Sequence, residues 1–312
     1  MFAEFNLHQP ANWVSYSCRI ISQLMELEGE RVASMDFQRV IIVDLSSLGV
    51  GEASDAAKFN SVGADMLGHI ANKVGGRFKL PTLTRLGLGN IRFGNPVVGI
   101  SPVEAPLGFF GKVQVATNRN NLNSGLREMF DYQSAVRVTS AIDSLVYQGN
   151  GVNRSVVIST YDSYIFNQDL STILPANNDV KAFKTLHQQV VTPSNGLIYM
   201  RLNGLQACCK QADIEGCAKS LRFVDQQLAQ LINELYSTDL LLITSSFAND
   251  PTYSTTPTRE YLPLIAYVPS NSEGHSLGVR KSLADVAATL VDIFNLDASA
   301  AFIGSSFLGE LT

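Results

Sequence analysis

Arg39-Val40-Ile41-Ile42-Val43-Asp44, followed by Leu48-Gly49-Val50-Gly51-Glu52, is the stretch on which the fold of this 312-residue chain turns. Val40 to Val43 are four consecutive β-branched residues with no polar face. A strand of that kind is buried on both sides, as in a parallel sheet covered by helices. The glycine-bearing turn after it leads into a helical pattern over 64–74. Outward from there, short apolar runs recur at 155–159, 197–200, 240–244 and 261–267. Between them, 220–236 carries Leu221, Val224, Leu228, Leu231 and Leu235 at helical spacing. The stretch 282–294 does the same with Leu283, Val286, Leu290, Ile293 and Phe294. Strands alternating with helices predict an α/β fold, its sheet mostly parallel with helices on both faces. Segments 117–134 and 245–257, rich in Asn and Ser, read as loops.

Composition narrows the class further. Hydrophobic residues make up 46%, enough for one large core. Only 16% are charged, the net charge is -5, and Lys and Arg are scattered, so a nucleic-acid partner is not expected. With no apolar run of membrane-spanning length and no basic-then-apolar leader at the start, neither a membrane span nor a secretory signal is expected. Cys18, Cys208, Cys209 and Cys217 form no paired zinc spacing. Reduced thiols and a cytoplasmic location follow as expectations. Residues 1–37 read as an N-terminal helical extension with a helix over 13–28, and 38–312 as one core domain. Trp13, Ile20, Ile21 and Leu24 lie on an apolar stripe that packs either on its own domain or on a neighbouring subunit.

From Leu48-Gly49-Val50-Gly51-Glu52-Ala53-Ser54-Asp55-Ala56 onward the chain resembles the phosphopentomutase family, whose opening motif reads Asp-Ser-Val-Gly-Ile-Gly-Glu-Ala-Pro-Asp-Ala. The likeness continues at Gly63-Ala64-Asp65-Met66-Leu67-Gly68-His69-Ile70 and at Leu86-Gly87-Leu88-Gly89-Asn90-Ile91. It returns at Asn249-Asp250-Pro251 and at Thr258-Arg259-Glu260-Tyr261-Leu262-Pro263-Leu264. The resemblance implies an alkaline-phosphatase-like core, two divalent metals, a phosphorylated threonine, and transfer of phosphate between positions of ribose. Such metals need carboxylate and imidazole donors.

Those donors are missing where the family motifs place them. Ser46 stands at the first metal-binding Asp, with Asp44 two residues earlier as a second way to align it. Leu122 stands at the phosphorylated threonine, with Ser124 nearby. Leu205 and Lys210 fall on an Asp and a His, Ser246 and Phe247 on another Asp-His pair, and Pro257 on the last His. None of these except Lys210 and the serines offers a polar side-chain atom. Lys210 reads either as a surface lysine or as a stand-in cation. The family's inserted cap has no counterpart, because 122–134 runs almost directly into the strand at 155–159.

The expected metal and cofactor complement is therefore none, and the expected function is that of a catalytically inactive, phosphopentomutase-like pseudoenzyme. A structural or self-assembly role as a homo-oligomer leads. A regulatory role comes next, with a protein partner, sugar phosphate or nucleoside contacting Asp44, Gly49, Gly51, Lys210 and Arg259. A repurposed metal-independent hydrolase using Asp44, Ser46, Ser47, Ser124, Ser246, Asn249 and Asp250 is the remaining alternative. Buried without a partner, Asp44 and Lys210 are both expected to be paired or exposed.

Overall fold

The computed structural model describes residues 36–130, 153–159, 172–296 and 304–312. The N-terminal segment carrying Trp13, Ile20, Ile21 and Leu24 lies outside them, as does the self-association expected of it.

An eight-stranded sheet organises the described residues, in the order β4-β3-β5-β1-β6-β7-β2-β8. The strands are β1 Arg39–Asp44, β2 Phe109–Val113, β3 Asn153–Ile158, β4 Thr172–Leu174, β5 Asn195–Arg201, β6 Asp239–Thr244, β7 Leu262–Tyr267 and β8 Ser276–Arg280. β7 runs antiparallel to both of its neighbours, and the other pairings are parallel. The quoted stretch is the central strand: all six residues of β1 are buried between β5 and β6. Ile41 and Val43 face one apolar layer. That layer includes α1 Met66–Val74, α4 Asp179–Val190 and α6 Ile214–Ile232. Val40 and Ile42 alternate to the other face, as strand geometry requires. There α7 Ala284–Ile293 buries Val286, Leu290 and Val291. Short helices α2 Pro81–Arg85, α3 Ser124–Met129 and α5 Gly204–Lys210 complete the described α-helices. Among the described residues no helix is long and apolar enough to cross a membrane.

Several bounds differ from the sequence expectation for local reasons. The helix expected over 220–236 starts earlier, because Asp213 caps it by accepting from the Gly216 amide at 2.8 Å. It stops at Ile232, and the Tyr236 amide donates instead to Asp239. The expected loop 117–134 contains α3. β2, β4, β8, α4 and α5 were not expected. β8 alternates exposed and buried residues with a glycine inside it, so it carries no apolar run.

Among the described residues no cap domain interrupts the core. Between α3 and β3 lies only 130–152, far shorter than a domain.

β1 also carries a charge at its start. Arg39 is 1% exposed, and Nε and Nη2 donate to the two carboxylate oxygens of Asp239 at 2.9 and 2.6 Å. Its remaining donors reach the Thr192 and Val190 carbonyls. Breaking one side of such a buried pair leaves the other charge uncompensated. Arg39→Ala or Asp239→Asn is expected to cost about 3–5 kcal/mol of stability, read by urea denaturation, with the double variant losing less than the sum of the two.

Candidate functional site

Strand register builds the site. In the parallel pairing of β1 with β5, Asp44 lies opposite Arg201, and Tyr199 lies two residues before it on the same strand. Both charged residues sit at the carboxyl end of the sheet, where open α/β folds carry their ligand sites. Asp44 is completely buried and Arg201 is 5% exposed. Asp44 Oδ2 accepts from the Tyr199 hydroxyl at 2.7 Å and faces Arg201 Nε at 3.8 Å. Oδ1 accepts from the Ser246 amide at 2.9 Å and from the Ser46 hydroxyl at 3.2 Å. Burial raises the Asp44 carboxyl above its ordinary range, and the Arg201 charge, then Ser246 and Tyr199, offset part of that rise. Each of these neighbours can donate or is cationic, the surroundings that suit an ionised carboxylate.

Arg201 ties together positions that are far apart in the chain. Nε donates to Ser46 Oγ at 2.8 Å and Nη2 to the Leu122 carbonyl at 3.0 Å. Its guanidinium lies 5.8 Å from the centre of the Phe247 ring. Ser46 Oγ is 3.3 Å from Ser246 Oγ. The structure thus brings together four positions singled out in the sequence: Ser46, Leu122, Ser246 and Phe247. Pro257 enters through its carbonyl, which accepts from Asn120 Nδ2 at 2.6 Å. Leu205 is buried in the core on α5, and Lys210 is exposed at the end of that helix. Arg201 and Tyr199 escaped the sequence reading. The available signal was an arginine directly after the apolar run 197–200, where a buried strand delivers a side chain to the sheet's end.

Two spaces open beside this cluster. One, bordered by Asn120, Ser124, Ser246 and Phe247, has a volume of about 10 Å³, room for roughly one water. The other is a cleft of about 630 Å³ lined by Leu122, Asn123, Asp179, Arg201, Gln206 and Lys210, among others. Asp179 uses its carboxylate to accept from the Asn203 and Gly204 amides at the start of α5. Burial pushes its carboxyl up, and those two amides counteract the rise.

The other residues singled out in the sequence serve the framework. Arg259 donates from Nε and Nη2 to Asp55 at 3.0 and 2.8 Å and also reaches the Val115 and Thr117 carbonyls. Glu260 is buried and accepts from the Met66 amide at 2.9 Å, the Gly51 amide at 3.4 Å and the Thr258 hydroxyl at 2.7 Å. Gly49 has no room for a side chain, since a Cβ there would lie 2.2 Å from the Glu260 carboxylate. Gly51 has φ +107°, a conformation that favours glycine. Among the polar residues considered for a hydrolase, Asn249 donates to the Ser254 and Thr256 carbonyls. Asp250 is held by His69 Nδ1 at 2.5 Å and by the Thr252 hydroxyl at 2.7 Å. Ser47 has φ +90°, and its buried hydroxyl has no partner among the described residues. Among the described residues, side-chain hydrogen bonds join Asp44, Ser46 and Ser246 into one cluster, and Ser124 borders the small space beside Ser246.

A family model described as the metalloenzyme superfamily matches residues 38–298. The chain belongs to that superfamily. It is 26% identical to a phosphopentomutase of Caldanaerobacter subterraneus subsp. tengcongensis, over an alignment of 392 residues covering 88% of this chain and 98% of that one. The alignment is longer than the 312 residues of the chain itself, so the relative carries segments that have no counterpart here. In fold the chain is similar to the PH0037 protein of Pyrococcus horikoshii, with a TM-score of 0.53, 8% identity, and 84% and 98% of the two chains covered. It is also similar to a TAB5 alkaline phosphatase mutant with magnesium bound, with a TM-score of 0.52, 9% identity, and 85% and 99% covered. The alkaline-phosphatase-like α/β core is thereby established.

Membership overturns one expectation. The chain was expected to be no enzyme, yet the superfamily is an enzymatic one and the phosphopentomutase relative is an enzyme. Missing side chains at aligned positions report the loss of one donor set. They do not report the loss of chemistry, because one fold supports many different sites.

The described residues do not fit a two-metal centre of the kind that the resemblance implies. Among the described residues no three of His, Cys, Asp and Glu are grouped to hold an ion. The marked positions hold hydroxyls, a phenyl ring, leucines, a proline and a lysine, and the Asp44 oxygens are already engaged.

Glu260 supplies a pH test of this framework. Burial first, then the nearby Asp250 charge, raise its carboxyl to about 7, against the pull of its hydrogen bonds. The folded state therefore holds this proton more tightly than the unfolded chain. Its stabilising contribution is complete below the unfolded carboxyl range and is lost as pH rises through about 7, a change on the order of 3 kcal/mol. Glu260→Gln, which keeps an acceptor for the Met66 and Gly51 amides, is expected to flatten the stability profile between about pH 4.5 and 7 in denaturant titrations.

Proposed function

We propose that this chain takes a sugar phosphate of the pentose phosphate class as its ligand, in the cleft at the carboxyl ends of β4 and β5. The observation that carries this reading is the composition of that cleft. Its volume of about 630 Å³ lies in the range of small-molecule sites. Arg201 and Lys210 both line it, and the amides Asn123, Asn178, Asn203 and Gln206 stand around them. A phosphate monoester needs cationic donors, and sugar hydroxyls need groups that both donate and accept, which side-chain amides provide. Lys210 is exposed on a long stem, so its ammonium can follow a phosphate as a point charge. Asp179, an acid in the same wall, has its oxygens directed to the backbone amides of α5. The relative named phosphopentomutase supports the choice of a pentose over a larger sugar.

Calorimetric titration of the full chain tests this reading. Ribose 5-phosphate is expected to bind saturably, and ribose at least about tenfold more weakly, the loss of about one charge-assisted contact. Lys210→Ala is expected to weaken ribose 5-phosphate binding about fivefold to tenfold without changing the melting temperature. Added salt is expected to weaken the wild-type interaction as well. Equal affinity for ribose and ribose 5-phosphate, or no saturable heat with either, would remove the proposal.

A further inference from the structure

We infer that the guanidinium of Arg201 is the resident cation of this site and takes the place of a divalent metal in balancing Asp44. Three observations lead there independently of the sugar phosphate reading. The first is position: Arg201 is in contact with Ser46, the Leu122 carbonyl and Phe247, which stand where the resemblance places an Asp ligand, the phosphorylated threonine and a His ligand. The second is charge: Asp44 is fully buried at the end of the central strand, and Arg201 is the cationic group facing it, at 3.8 Å. The third is the donor set: serine hydroxyls, a phenyl ring and one engaged carboxylate are poor ligands for a hard divalent ion, which favours several carboxylates. A planar guanidinium suits the same surroundings, since its fixed fork reaches a hydroxyl and a carbonyl at once. The backbone fixes it there, because the register of β5 against β1 sets Arg201 beside Asp44.

The assignment explains the side-chain exchanges as one coordinated change. An Asp-to-Ser and a His-to-Phe replacement remove negative charge and imidazole donors, and an arginine supplies the positive charge that a lone Asp44 still requires. Tyr199 and the Ser246 amide complete the carboxylate's hydrogen bonds. Arg201 is in this sense a positioning residue, holding Asp44, Ser46 and the Leu122 loop, and its removal disturbs all three.

The test uses the purified full-length chain, with metal content measured by elemental analysis and melting temperature by calorimetry. Treatment with EDTA, or addition of manganese, zinc or magnesium at about 1 mM, is expected to shift the melting temperature by less than about 1 °C, with less than about a tenth of an equivalent of metal retained. Arg201→Met and Asp44→Asn are each expected to lower it by roughly 5 °C or more, as for breaking a buried ion pair. The double variant is expected to lose clearly less than the sum. Arg201→Lys, which keeps the charge, is expected to fall between wild type and Arg201→Met, and it serves as the reporter if Arg201→Met does not fold. One equivalent of metal retained by the wild type together with a fall in melting temperature on EDTA treatment would overturn the inference. Strictly additive losses in the Asp44–Arg201 cycle would overturn it too. Failure of ribose 5-phosphate to bind would leave these readouts unchanged, so the two proposals fail separately.

Discussion

A carboxylate at the end of a fully buried strand has few ways to remain charged, and the carboxyl end of this sheet is arranged around that difficulty. Asp44 is flanked on both sides by strands and is out of reach of water. An uncompensated charge there would cost several kcal/mol, so a cation and a shell of donors must be delivered by the neighbours. β5 delivers Arg201 and Tyr199 from one strand, and the segment after β6 delivers the Ser246 amide. Arg201 then reaches beyond Asp44 to the Leu122 carbonyl, which anchors the loop leading into α3. A single buried charge thereby fixes the relative positions of segments that follow β1, β5 and β6 and precede α3.

A second carboxylate plays the same part a short distance away, with hydrogen bonds as its main support. Glu260 joins the amide of Met66 at the start of α1 to the turn after β1 and to Thr258. Gly49 has to be a glycine because Glu260 lies against it. Asp250 links the loop after β6 to His69 on α1 and, through its other oxygen, to Thr252. Arg259 closes the set by clamping Asp55 and the Val115 and Thr117 carbonyls. The residues shared with the phosphopentomutase motifs are therefore largely those that hold the loops in place. Of the residues that differ, Ser46, Leu122, Ser246 and Phe247 gather around Arg201.

Belonging to a superfamily of metalloenzymes settles the architecture and leaves the site to be argued from its own atoms. Here the inner part of the site is closed, with space for about one water beside Ser246 and Phe247. The outer part is an open polar cleft with Lys210 on its wall. Phe247 borders that small space and is itself buried, whereas Leu205 is buried in the apolar core on α5.

The sequence by itself determined the α/β class, because Val40 to Val43 and 240–244 have no polar face, and such strands are stable only inside a helix-covered parallel sheet. It also determined which positions had lost the donors of the family motifs, since identity at a position is enough to know that Phe247 and Pro257 offer no side-chain ligand atom. It did not reveal the edge strands β4 and β8, whose residues are partly exposed and carry no apolar run. Nor did it reveal that Arg201 belongs to the site, that Arg259 pairs with Asp55 rather than with Glu260, or that Gly49 and Gly51 serve the framework. Those facts depend on which strand lies beside which, and on a register in which Asp44 faces Arg201 rather than a neighbour one residue away. Strand order and register are set by the packing of the whole sheet, so tertiary structure alone decided where the charge of Asp44 would find its partner.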